Sequence, residues 1–105
     1  VLRRVGAILL ATCRSGDLAA RWGGEEFLIA LPGIDMAQAQ RVCEQLRASV
    51  QTQDWDAIAK GLRVTASVGL CDLAAWSDLK QGLDAADKLL YAAKSAGRNR
   101  VHSEG

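Results

Sequence analysis

The chain has 105 residues, of which 50% are hydrophobic and 24% are charged, so it fits one globular domain with a modest core. Its 13 Lys and Arg residues nearly balance 12 Asp and Glu residues. This balance excludes a strong positive electrostatic field that would attract nucleic acid or an anionic membrane. The apolar runs are too short for a membrane span and no signal segment opens the chain, so a cytoplasmic location is expected for this segment.

The first elements are predicted to be a helix and a hairpin. Apolar residues at helical spacing up to Thr12 indicate that the sequence begins inside an amphipathic helix. Two apolar runs, Leu18–Ala20 and Phe27–Leu31, then flank the pair Gly23-Gly24. Two short apolar runs joined at a Gly-Gly pair are typical of a tight β-hairpin.

The middle of the chain is predicted to form a second helix and a strand. Asp35 and Gln38 have the spacing of a capping box, and the apolar stripe that follows predicts a helix to about Thr52. From Leu62 to Cys71, apolar residues alternate with polar residues or glycine. This period of two predicts a strand whose two faces have different environments.

The last part of the chain is predicted to contain a helix and a short strand. Helical spacing runs from Ser77 to Ala96, with a possible break near Gly82, and Gly97 stands where a helix C′ residue belongs. Val101 begins the last strand. The order of elements is an α+β pattern, in which helices cover one or both faces of a mostly antiparallel sheet.

The heptad Arg21–Phe27, with the sequence R-W-G-G-E-E-F, carries the clearest chemistry in the chain. Gly23 and Gly24 tolerate positive φ and allow a phosphate or base to approach the backbone closely. Glu25 and Glu26 supply hard oxygen ligands of the kind that Mg²⁺ prefers. Taken alone, adjacent glutamates after a turn are also typical of a solvated hairpin end.

This heptad resembles the signature loop of the diguanylate cyclases, the GGDEF domain family, in which the third position is Asp or Glu. Further family landmarks occur in order, namely 67–69 (S-V-G), 86–91 (A-D-K-L-L-Y) and 93–101 (A-K-S-A-G-R-N-R-V). The resemblance covers essentially all of residues 1–105 as a single domain. It implies an α+β, nucleotide-cyclase-like fold with a ferredoxin-like core and flanking helices.

The resemblance implies that the parent protein condenses two GTP molecules into cyclic di-GMP with release of pyrophosphate, using Mg²⁺ or Mn²⁺. Glu25 matches the family's metal-binding carboxylate, which is also proposed as a general base. Glu26 is expected to assist catalysis at the second metal or through the local hydrogen-bond network. Because successive strand side chains point to opposite faces, only one of the pair need face the nucleotide. Gly23 and Gly24 match positions where the family packs backbone against the nucleotide.

Lys94 and Arg98 are spaced i to i+4 at the predicted end of the last helix, which places both cations on one side. The resemblance implies that they hold the GTP triphosphate. The alternative is that they only offset the negative end of the helix dipole, which contributes about 0.3 to 1 kcal/mol.

Arg14 and Asp17 form an R-x-x-D motif that five residues, Leu18 to Trp22, separate from Gly23. The resemblance implies an inhibitory site for the product, cyclic di-GMP. A guanidinium offers paired donors to guanine or phosphate, and a carboxylate can accept from the guanine edge. The alternative is an ion pair in a loop, which occurs freely and contributes little to stability.

Other residues with possible chemistry are expected to have structural roles. His102 lies in a polar tail without partners at metal-ligand spacing. The separated cysteines form no C-x-x-C pair, and the tryptophans are not interleaved with basic residues, so neither set predicts a zinc, disulfide or nucleic-acid site. Packing is expected for all six residues: Cys13, Cys43, Cys71, Trp22, Trp55 and Trp76.

The sequence also departs from the family pattern. The N-terminal strand and first helix of the family domain, with a metal-binding Asp, a Phe-Lys pair and guanine-reading Asn and Asp, have no counterpart in it. We therefore expect the parent to be a cyclase, regulated by an upstream region that can include a membrane anchor, and this chain alone to turn over GTP little or not at all. We also expect a homodimer, formed by strand exchange or edge pairing. The alternative function is a non-catalytic module that binds cyclic di-GMP or GTP.

Overall fold

The computed structural model describes residues 2–12, 18–23, 26–31, 33–72 and 75–103. Its regular elements are, in chain order, α1 (Leu2–Thr12), β1 (Leu18–Gly23), β2 (Glu26–Ala30), α2 (Met36–Thr52), β3 (Val68–Leu70), α3 (Leu79–Ser95) and β4 (Val101–Ser103). The order confirms the α+β pattern expected from the sequence. None of the helices in these ranges is long and apolar enough to cross a membrane.

The predicted hairpin is confirmed, because β1 and β2 pair antiparallel. Pairing runs from Leu18 opposite Ala30 to Gly23 opposite Glu26, and the register shifts between Arg21 and Gly23. Such an irregularity bends a strand and increases its twist locally. Gly23 and Glu26 therefore form the last pair at the bent end of the hairpin.

The second pair of strands, β3 and β4, is parallel, with Val68 opposite Val101 and Leu70 opposite Ser103. The expectation of a mostly antiparallel sheet is therefore met by the hairpin and not by this pair. Parallel neighbours require a long crossover connection, and α3 lies between β3 and β4 in the chain and provides it. Within the described residues, the strands form two separate two-stranded sheets.

The strand predicted from Leu62 to Cys71 is wrong in extent, because only Val68–Leu70 is a strand. The alternating pattern nevertheless corresponds to an alternation in burial. The apolar side chains of residues 62, 64 and 66 pack against the core, while Arg63 and Thr65 are exposed. An alternating pattern reports which face is buried, whereas a strand also needs a hydrogen-bonded neighbour. In the described part of the chain, β4 is too short to pair with residues 62–67.

Helix α2 begins at the predicted capping box. The side chain of Asp35 accepts a hydrogen bond from the Gln38 N–H at 2.8 Å, and Gln38 Oε1 accepts one from the Asp35 N–H at 3.4 Å. These bonds satisfy donors that a helix start leaves without partners. The buried face of the helix follows the predicted stripe: Ala39, Cys43, Leu46 and Val50.

The hydrophobic core forms where α1 and α2 pack together. Leu9 of α1 contacts the cluster of Leu46, Val50 and Trp55, and Ile29 of β2 packs against it. Trp55 is only 3% exposed and donates its indole N–H to the Val50 carbonyl at 2.6 Å, so its polar atom is satisfied inside the core. The structural role expected for Trp55 is confirmed.

Helix α3 is continuous through Gly82, so the possible break at this position is not found. Asp78 caps its start by accepting from the Gln81 N–H at 2.8 Å. Strand β3 packs so closely on α3 that a Cβ built on Gly69 would lie 2.2 Å from the Ala86 carbonyl oxygen. Glycine is therefore required at position 69, because backbone atoms of α3 occupy the space of a side chain.

Candidate functional site

The acidic motif lies at the end of the hairpin. Gly23 closes β1 and stands opposite Glu26, which opens β2, so the two residues are brought together by backbone pairing. Gly24 and Glu25 lie outside the described residues. The hairpin pairing thus brings together Gly23 and Glu26, the two ends of the G-G-E-E motif.

The product site expected from the sequence consists of Arg14 and Asp17. Arg14 and Asp17 lie outside the described residues, as does Cys13. The described chain resumes at Leu18, the first residue of β1. In the sequence, the R-x-x-D motif ends one residue before β1 begins.

The other predicted cations lie at the end of α3. Lys94 is in the last helical turn and is partly buried. The helix ends in a Schellman motif, in which the Arg98 N–H donates to the Ala93 carbonyl at 3.0 Å and the Gly97 N–H donates to the Lys94 carbonyl at 3.4 Å. Gly97 has a φ of 126°, as the C′ position of that motif requires and as the sequence predicted.

The expected helical relation between Lys94 and Arg98 is wrong. The helix ends at Ser95, and Arg98 lies beyond the cap with a φ of 62°, so its direction is not set by the i to i+4 spacing. Periodicity cannot show where a helix gives way to a left-handed turn of the backbone. Arg98 is nevertheless exposed and follows α3 by three residues, close in the chain to Lys94.

The charges of Lys94 and Arg98 are not neutralised by the described part of the chain. The ion pairs found there are Arg47 with Glu44 and Lys80 with Asp84. The last carbonyls of α3 already accept backbone N–H groups in the Schellman motif, so the helix end does not need either side chain as a cap. This arrangement leaves two cations available for an anionic ligand.

Sequence reasoning missed Arg47, which connects α2 to the segment that follows α3. Its Nη1 donates to Asn99 Oδ1 at 2.8 Å and to Gln51 Oε1 at 2.8 Å, and its Nε donates to Glu44 Oε1 at 2.9 Å. The hydrogen bond with Arg47 lowers the pKa of Glu44 and raises the pKa of Arg47. The helical spacing of Glu44, Arg47 and Gln51 was visible in the sequence, but the contact with Asn99 spans 52 residues.

The remaining titratable candidates have structural positions. Cys43 is free and buried, and desolvation raises the pKa of its thiol from 9.0 to about 11. Cys71 is half-buried, and its Sγ–H donates to the Gly82 carbonyl oxygen at 3.1 Å. His102 lies in β4 opposite Gly69 and not in a polar tail. Over the described ranges, no three His, Cys, Asp or Glu side chains are grouped to hold a metal ion.

A comparison with known protein families matches most of the chain to one family. A family model described as "Diguanylate cyclase, GGDEF domain" matches residues 1–100. Diguanylate cyclase A of Treponema denticola is 38% identical over an alignment that covers 96% of this chain and 28% of that protein. The response regulator PleD of Caulobacter vibrioides is 37% identical over 96% of this chain and 23% of its own length. The chain thus spans about a quarter of the length of these curated relatives.

Solved structures with the same fold include cyclase domains. The coiled coil and GGDEF domain of DgcB from Caulobacter crescentus, in complex with c-di-GMP, superposes with a TM-score of 0.87 at 24% identity, covering 98% of this chain and 56% of that one. Diguanylate cyclase SiaD from Pseudomonas aeruginosa, in complex with its activator SiaC, superposes with a TM-score of 0.86 at 35% identity, covering 95% and 38%. The fold expected from the sequence is therefore confirmed.

Proposed function

The chain belongs to the GGDEF domain family, and from this membership we propose that its parent protein is a diguanylate cyclase that condenses two GTP molecules into cyclic di-GMP. The observation that carries the proposal is the family match over residues 1–100 together with an intact G-G-E-E-F motif at a hairpin end. A relative at 38% identity that is named a diguanylate cyclase supports it.

In the proposed reaction, the 3′ hydroxyl of each GTP attacks the α-phosphorus of the other. Each attack forms one phosphodiester bond and breaks one bond between the α- and β-phosphates, so two pyrophosphates leave. Glu25 would hold a divalent metal ion or accept the proton of the attacking hydroxyl, with Glu26 as the second carboxylate. A bound Mg²⁺ or Mn²⁺ would supply charge neutralisation at the phosphates. The absence of side chains at Gly23 and Gly24 would let the nucleotide approach the backbone.

Lys94 and Arg98 are proposed to bind the triphosphate. Both are cations without an ionic partner among the described residues, and the cap of α3 does not use their side chains. Arg98 presents a planar set of donors that fits phosphate oxygens, and Lys94 adds a compact charge. In this arrangement the hairpin holds the reacting end of GTP and the segment after α3 holds its phosphates.

A symmetric product requires two nucleotides to react with each other. Each chain carries one copy of the acidic motif and one copy of the two cations. We therefore propose that two chains face each other as a homodimer during the reaction, each holding one GTP. Because GTP is a cytoplasmic nucleotide, the domain would work on the cytoplasmic side.

The proposed function is tested by identifying the product of the reaction. The full-length protein is incubated with GTP and Mg²⁺, and the products are separated by chromatography and identified by mass. Formation of cyclic di-GMP with two pyrophosphates per product molecule is expected. A full-length protein that binds GTP with Mg²⁺ but releases no cyclic di-GMP contradicts the cyclase proposal.

A second candidate is a non-catalytic module that binds cyclic di-GMP. The observation that favours it is the R-x-x-D motif of Arg14 and Asp17, together with structural neighbours solved in complex with c-di-GMP. In a working cyclase the same motif would mediate product inhibition. Calorimetry distinguishes the two sites: Arg14→Ala should abolish binding of cyclic di-GMP while leaving GTP binding intact.

A further inference from the structure

The segment after α3 has an unusual backbone. Arg98 and Asn99 follow Gly97 with φ values of 62° and 49°, so two consecutive residues other than glycine are left-handed. This conformation costs roughly 1 to 2 kcal/mol per residue for most side chains, and less for asparagine. Two such residues in succession persist only where surrounding contacts hold them.

The contacts that hold this segment converge on Asn99. Its backbone N–H donates to Ser67 Oγ at 3.1 Å, just before β3, and its side-chain Oδ1 accepts from Arg47 of α2 at 2.8 Å. The next residue, Arg100, accepts from the Val68 N–H at 2.9 Å through its carbonyl oxygen. The backbone around Arg98 is therefore fixed through its neighbour by two other elements of the fold.

The guanidinium of Arg47 is itself held in place. Its side chain is 16% exposed, whereas that of Glu44 is 56% exposed. Glu44 and Gln51 accept its hydrogen bonds from one turn before and one turn after it on the same helix. A guanidinium has a planar, rigid set of donors, so fixing two of its bonds on α2 directs the third toward Asn99.

A purely structural ion pair does not account for this arrangement. An i to i+3 pair of Arg47 with an exposed glutamate contributes little to stability. The bond to Asn99 differs, because it joins residues 52 positions apart and acts on a left-handed residue next to Arg98. The bond therefore holds the residue that directly follows Arg98.

We propose that Arg47 is a positioning residue for substrate binding: by holding Asn99, it keeps the left-handed segment in the one path that directs Arg98 toward the GTP triphosphate. The inference rests on the proposed function, in which Arg98 binds those phosphates. Phosphates away from the reacting atoms are held in both the ground state and the transition state. Loss of Arg47 should therefore raise KM for GTP and leave kcat nearly unchanged.

The test uses steady-state kinetics of the full-length protein with GTP and Mg²⁺. Arg47→Met retains the unbranched aliphatic stem without the donors, and it should raise KM about tenfold, the usual effect of losing a charged hydrogen bond. Arg47→Lys keeps one donor and should raise KM about threefold. Arg41→Met, which changes an exposed arginine on the same helix, is the matched control and should leave KM unchanged.

The decisive comparison is made in a background without the Arg98 side chain. If Arg47 acts through Arg98, Arg47→Met should change KM by less than about twofold once Arg98→Ala is present. Thermal unfolding of each variant shows whether the fold is retained. If Arg47→Met does not fold, Asn99→Gly gives the same test, because glycine accepts the left-handed φ but offers no oxygen to Arg47.

Different results overturn different claims. An active protein in which Arg98→Ala raises KM but Arg47→Met does not contradicts the positioning role alone. Equal effects of Arg47→Met with and without the Arg98 side chain also contradict it, because the two residues then act independently. A full-length protein that forms no cyclic di-GMP overturns the proposed function itself, and with it the role of Arg98.

Discussion

The hairpin and the segment after α3 are proposed to hold the same nucleotide, but they are built differently. The hairpin is local, since its pairing lies within residues 18–30. The segment 97–100 is held by Ser67 and Arg47, which are 32 and 52 positions from Asn99 in the chain. Substitutions in the hairpin motif should therefore affect chemistry, whereas substitutions around the segment after α3 should affect folding and binding.

The largest effect is expected at the hairpin. Glu25→Ala should reduce kcat for cyclic di-GMP formation by about a thousandfold, because a metal-binding or proton-accepting carboxylate is removed from the reacting atoms. The fold should be unchanged, since the hairpin is held by backbone pairing. Asp87→Asn, at an exposed carboxylate of α3, is the control. A kcat for Glu25→Ala within tenfold of the parent protein would contradict the catalytic role.

The next largest effect, a loss of stability, is expected where β3 packs on α3. Gly69→Ala should lower the free energy of unfolding by about 3 kcal/mol, because its Cβ would meet backbone atoms of Ala86 and Leu90 at 2.2 and 2.4 Å. Urea denaturation measures the change. Gly6→Ala in α1 is the matched control, since nothing lies within 4 Å of a Cβ there, and it should stabilise the helix slightly.

A smaller, pH-dependent effect is expected from Cys43, on the α2 face that packs in the core. The pKa of the Cys43 thiol in the folded protein is about 11, above the ordinary 9.0. The contribution of the buried, protonated thiol to stability is therefore complete below pH 9 and is lost as the pH rises toward 11. Ionisation of the unfolded thiol should cost about 1.4 kcal/mol of stability by pH 10. The measured quantity is the difference in stability between the parent protein and Cys43→Ala across this pH range. Identical pH profiles would contradict the burial argument.

The smallest effect is expected at the start of α2, next to the hairpin. Asp35→Ala removes the capping box and should lower stability by about 1 kcal/mol. Arg47 lies three helical turns further on, so KM for GTP should not change. Asp54→Ala is the matched control, because Asp54 precedes a short 3-10 turn, Trp55–Ala57, and makes no side-chain capping bond to it. A rise in KM for Asp35→Ala would show that α2 transmits changes between the two regions.

The two regions also differ in how far the sequence predicted them. The hairpin, the capping box at Asp35 and the C′ glycine at position 97 are each determined by neighbouring residues, and all three were predicted correctly. The contact of Arg47 with Asn99 and the parallel pairing of β3 with β4 depend on chain segments far apart, which periodicity does not report. The position of Arg98 was missed because a Schellman motif interrupts the helical spacing that was assumed.

The central claim, that the hairpin and the segment after α3 hold one GTP, is tested most directly by calorimetry on the full-length protein. The ligand is a GTP analogue with a methylene group between the α- and β-phosphates, titrated with Mg²⁺ and again with a chelator. With Mg²⁺, Glu25→Ala and Arg98→Ala should each weaken the same binding event by about tenfold or more. With the chelator, only Arg98→Ala should weaken binding of the analogue. An affinity with Mg²⁺ that either substitution leaves unchanged would contradict the shared site.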